Sequence, residues 1–74
     1  MGRPATTVKR ATVSFREADL NNLQEVAEAT RLTENDAIRK ALATEAFVQE
    51  VLRDGGSVFV KDKNGAIREV VFVG

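Results

Sequence analysis

The chain has 74 residues, with eleven Lys plus Arg balanced by eleven Asp plus Glu, and with neither His nor Cys. A chain of this length builds one small core, worth roughly 3–5 kcal/mol, and leans on disulfides, metals or partners for the rest. Without Cys there is no disulfide or thiolate metal site, and without His there is no Ser–His or Cys–His nucleophile pair.

No Gly-rich phosphate loop is present, and the carboxylates are scattered along helical stretches as solvated faces. The chain therefore reads as no enzyme, with no cofactor and no metal. No apolar run nears the roughly 18 residues of a membrane span. No apolar stretch follows the basic N-terminus, as a secretory signal requires. A cytoplasmic location without membrane contact is expected, with oligomerisation as the remaining source of stability.

The charge is unevenly spread. Residues 1–16 hold Arg3, Lys9, Arg10 and Arg16 and no acid, whereas residues 17–54 hold four bases and nine acids. A basic segment on an otherwise neutral body gives a local positive face. Residues 1–7 (MGRPATT) read as a flexible basic arm.

Residues 8–16 (VKRATVSFR) alternate, with Ala11, Val13 and Phe15 between Arg10, Thr12, Ser14 and Arg16. That period of two marks a strand with one buried face. The next strand-like sequence lies about forty residues downstream. The backbone N–H and C=O groups of the segment need a ladder partner. That partner is either the C-terminal strands or the same segment of a second chain.

Residues 17–30 read as a helix, with Leu20, Leu23, Val26, Ala27 and Thr30 on one face and Glu17 and Asp19 in the first turn, where the dipole favours anions. Thr33 opens a second helix as a capping hydroxyl, with Asp36 three residues on. Ala37, Ile38, Ala41, Leu42, Ala46, Val48, Val51 and Leu52 trace a broad apolar face, with Phe47 beside it, up to Gly55-Gly56. A helix of about twenty residues spans roughly 30 Å, more than the first helix of the same chain covers. A partner is implied again, and an obligate dimer is expected.

Ser57–Lys61 and Ala66–Val73 are β-rich and flank Asp62-Lys63-Asn64-Gly65. Asn-Gly signals a two-residue hairpin, usually of type I′. That loop sets Phe59 opposite Val70, Val58 opposite Val71, and Lys61 opposite Arg68, a like-charged pair. The hairpin, at residues 55–74, is too apolar for a free tail. Its expected roles are contacts between dimers, closure over the core, or binding of a protein partner.

The coarse order is thus β–α–α–β–β, an α+β chain. The strand KRATVSF, the helix EADLNNLQEVAEAT and the segment LTENDAIRKAL together resemble the ribbon–helix–helix family of DNA-binding proteins (the Arc, MetJ and CopG type). The match covers about residues 9–52, within a domain at 8–54. The family often has Gly in the inter-helix turn, where Arg31 stands here, and often ends its strand in Pro, where Arg16 stands here. The resemblance is silent on the hairpin.

The resemblance implies an intertwined homodimer. Two copies of the strand pair antiparallel, and a shared core takes Ala11, Val13, Phe15, Leu23, Ile38 and Leu42. Arg10, Thr12 and Ser14 would then read base edges in the major groove of double-stranded DNA, which a two-stranded ribbon fits. Arg3, Lys9 and Arg16, with Thr33 and Asn35 at the second helix's N-terminus, are the candidates for phosphate contact. Glu34 and Asp36 oppose a phosphate there. The expected function is a sequence-specific transcriptional regulator, in the main a repressor, assembling beyond the dimer on DNA. The alternatives are an antitoxin of a toxin–antitoxin pair, and a protein-interaction module without DNA binding, which the zero net charge favours.

Overall fold

A computed structural model describes residues 7–72. Arg3, nearly all of the expected arm and Val73 lie outside the described residues. The chain is a small α+β fold of two helices followed by a two-stranded antiparallel sheet: α1 (Glu17–Thr30), α2 (Glu34–Arg53), β1 (Val58–Lys61) and β2 (Ile67–Val70). Helix α1 packs on α2, and β1 packs on α2.

Both helices begin and end on local chemistry. The Arg16 N–H at the head of α1 donates to the Asp19 carboxylate at 3.0 Å, which is half of a capping box. The Thr33 hydroxyl oxygen accepts from the Asp36 N–H at 3.1 Å and caps α2. At the tail of α1 the Leu32 N–H donates to the Ala27 carbonyl at 3.0 Å, and Arg31 to Glu28 at 3.3 Å. At the tail of α2 Gly56 donates to Val51 at 2.9 Å and Gly55 to Leu52 at 3.0 Å. Each pair is a Schellman closure, which needs a left-handed residue. Gly55 supplies it freely at φ 86°, but Arg31 adopts φ 57°, ψ 39° with a full side chain.

Two expectations are corrected. The period-two segment Val8–Arg16 forms no strand within the chain, so the observed order lacks the leading β. A strand is defined by its ladder, and neither β1 nor β2 pairs with the segment. The hairpin register also differs: Val58 faces Val70, Phe59 faces Glu69, Val60 faces Arg68 and Lys61 faces Ile67. The cause is Asp62. Its carboxylate accepts from the N–H groups of Asn64 and Ala66, both at 2.9 Å, and its own N–H donates to the Ala66 carbonyl at 2.9 Å. Gly65 alone in the loop has positive φ, at 88°. A type I′ turn needs positive φ at both central residues, so the loop is instead the three-residue kind with a left-handed Gly third. The shift by one residue removes the Lys61–Arg68 clash.

The chain buries little by itself. Ala27, Ala37 and Val48 are the buried apolar residues, and no large side chain is fully buried among the described residues. Leu23, Ile38, Val51, Leu52, Val58 and Val70 are half-buried. The chain exposes 6986 Å², where a compact monomer of this size exposes about 4,500 Å². Its radius of gyration is 15.4 Å, against about 11 Å for a compact domain.

Arg31 gives a test of the turn. Replacing it by Gly removes the steric cost of the left-handed backbone, partly offset by the freer unfolded chain. Arg31→Gly is expected to gain about 0.5–1 kcal/mol, read as a higher melting temperature. A lower one would mean that the Arg31 side chain stabilises the turn by a contact of its own.

Candidate nucleic-acid interface

The N-terminal segment runs alongside the helices without joining them in regular structure. Every residue from Thr7 to Arg16 is exposed. Lys9, Arg10 and Arg16 make no ion pair among the described residues, where the one salt bridge joins Arg39 to Asp36. The segment therefore carries three uncompensated cations in eight residues, next to backbone groups that have no ladder.

Beneath it lies an open groove of about 410 Å³ between the facing sides of α1 and α2. Val13 and Phe15 from the segment, Leu23 from α1, and Ile38 and Leu42 from α2 all line it. The structure thus brings together five of the six residues assigned to a shared core; Ala11 is the one it leaves out. Leu42 is 65% exposed and Val13 64% exposed, so the groove is a core with one side missing. Asp19, Asn22, Val26, Ala37 and Ala41 line it as well; Val26, Ala37 and Ala41 belong to the apolar faces read from sequence and Asp19 to the acidic first turn, whereas Asn22 was not singled out. Its spacing of four from Val26 was the available signal.

The three residues expected to read bases are not displayed as a set. Arg10 and Thr12 stand away from the groove, whereas Ser14 lines it with its neighbours Val13 and Phe15. A pleat holds alternate side chains on opposite faces, and a segment without a ladder has no pleat to keep. Separation of Ser14 from Val13 and Phe15 requires pairing.

At the N-terminus of α2, Thr33 is engaged as a cap through its oxygen, and its hydroxyl proton remains available to an acceptor. Asn35 is exposed in the first turn. Of the two acids expected to repel an anion there, Asp36 is paired with Arg39. Glu34 lines a different groove of about 470 Å³ with Gln24, Glu28 and Arg31. That second groove follows from the left-handed reversal at Arg31, which no periodicity reveals. Among the described residues no three metal-ligating side chains cluster, and no helix is long and apolar enough to cross a membrane.

Comparison of the chain with protein-family models, with curated proteins and with solved structures found no match.

The role of Thr33 as a cap has a direct check. Thr33→Ala is expected to cost about 1 kcal/mol of stability, and Thr33→Ser to keep most of it. Equal melting temperatures for all three proteins would deny the cap.

Proposed function

We propose that the protein is a DNA-binding regulator of the ribbon–helix–helix kind, active as a dimer whose two Val8–Arg16 segments pair into an antiparallel ribbon. The observation that supports it most is the coincidence of two incomplete structures. A basic, alternating segment without a ladder lies against an apolar groove without a lid. One two-fold operation completes both: it gives each segment its twin and covers each groove with the partner's Val13, Phe15 and Leu42.

Pairing restores the pleat and with it the alternation. Ala11, Val13 and Phe15 turn inward, and Arg10, Thr12 and Ser14 turn outward together. Arg10 then reaches guanine O6 and N7 with two parallel hydrogen bonds, and the Thr12 and Ser14 hydroxyls serve base edges of either polarity. Lys9, Arg16 and the N-terminus of α2, with Thr33 and Asn35, are left for the phosphates on either side, and Arg3 joins them if the arm reaches the backbone. The pairing of Asp36 with Arg39 lessens repulsion there. Repression follows where such a dimer occludes a promoter.

The dimer is tested apart from DNA. Leu42→Lys places a charge at an exposed position of one chain, so helicity is expected to persist while self-association weakens by about 2–3 kcal/mol or more. Sedimentation that is unchanged by this substitution would reject the groove as the dimer interface.

The reading of DNA is tested by selecting bound sequences from random duplexes. Arg10→Ala should weaken binding to the selected site by about 1–3 kcal/mol and relax its sequence preference, with the dimer intact. Wild-type affinity should fall steeply as salt rises, as released counterions demand. If no duplex is bound even at low salt, the chain is a protein-interaction module instead.

A further inference from the structure

The corrected register sorts the hairpin into two unlike faces. Val58, Val60, Arg68 and Val70 share the even-numbered face; Val58 and Val70 are half-buried there, and β1 lies against α2. The odd-numbered face carries Phe59, Lys61, Ile67 and Glu69, with Phe59 59% and Ile67 65% exposed. Because Phe59 faces Glu69 and Lys61 faces Ile67, these four side chains form a square. Its two apolar members lie on one diagonal and its two opposite charges on the other. Lys61 and Glu69 form no ion pair with each other or with any other described residue.

That square is complementary to itself. A two-fold axis laid along the Phe59–Ile67 diagonal brings Phe59 against Phe59 and Ile67 against Ile67 of a second copy. The same rotation exchanges the other diagonal, so that Lys61 of each copy meets Glu69 of the other. With a one-residue shift in register the square would hold Phe59 opposite Val70, and the match would not exist. Isologous contacts require this kind of self-complementarity, and paired opposite charges fix their orientation.

We infer that the outer face of the β1–β2 hairpin is a homotypic docking surface, whose occupant is the same face of a second copy. It lies apart from the α1–α2 groove. In the proposed ribbon dimer, on which this step alone rests, it joins one dimer to the next and favours tandem occupancy of neighbouring DNA sites.

Charge reversal in the full-length protein tests this by sedimentation without DNA at micromolar concentration, with circular dichroism as the check on folding. Wild type is expected to form tetramers or larger species. Lys61→Glu makes the square doubly acidic and Glu69→Lys makes it doubly basic, and each alone should weaken this association about tenfold by facing like charges. The two variants mixed together, or both substitutions in one chain, should restore it, because opposite charges meet again. Ile67→Ser should weaken it without rescue.

Wild type that is a dimer and remains one in every variant overturns the inference and leaves the ribbon dimer standing, with the face open to some other partner. Larger species indifferent to all three substitutions overturn it too. If wild type is no larger than a dimer and the single reversals reduce it to monomers, the hairpin contact stands and the ribbon dimer falls. A wild type that is monomeric throughout overturns both.

Discussion

An extended backbone cannot keep its hydrogen-bonding groups from water unless another strand meets them, and the described residues have no such strand to spare. Residues 8–16 alternate in the way that a half-buried strand does, yet β1 and β2 pair only with each other. The same segment holds Val13 and Phe15 over a groove that nothing among the described residues closes. Backbone satisfaction and apolar burial are therefore short of the same thing in the same place. The proposed dimer, the pleat it restores and the outward trio of Arg10, Thr12 and Ser14 all depend on that shared deficit.

Much of the fold was legible because it is governed by neighbours in sequence. The apolar spacing of Leu20 to Thr30, the Thr33 hydroxyl three residues before Asp36, and the Gly55-Gly56 stop each act within a turn or two, and α1 and α2 begin and end where these signals stand. The hairpin was legible in kind but not in register. Asn64-Gly65 points to a two-residue loop, and the deciding group was the Asp62 carboxylate, which gathers two N–H groups and widens the loop to three residues. The N-terminal segment was legible only as a demand. Its pattern asks for a partner without naming one, and a single chain leaves it unpaired.

The candidate site divides along the same line. The lining of the groove was readable from helical spacing, and Leu23, Ile38 and Leu42 meet Val13 and Phe15 there. The reading face was readable only as alternation along a strand, so its geometry waits on pairing; Ser14 in the single chain sits with the apolar residues. The charge asymmetry lends it weight, since Lys9, Arg10 and Arg16 make no ion pair among the described residues, whose one salt bridge, Arg39 with Asp36, is local to α2. With a net charge of zero, attraction for a polyanion has to come from where the cations are, not from how many there are.

The scarcity of burial in one chain has a consequence for how long the protein lasts. Helices of 14 and 20 residues that share only Ala27, Ala37 and Val48 as buried apolar anchors are close to the length at which isolated helices are marginal in water. A protease meets such a chain as a substrate until it has been covered, and in the proposed dimer covering by another copy would depend on the square of concentration. Turnover is then fast when the protein is scarce and slow when it is plentiful. Abundance would rise as a threshold rather than in proportion to synthesis.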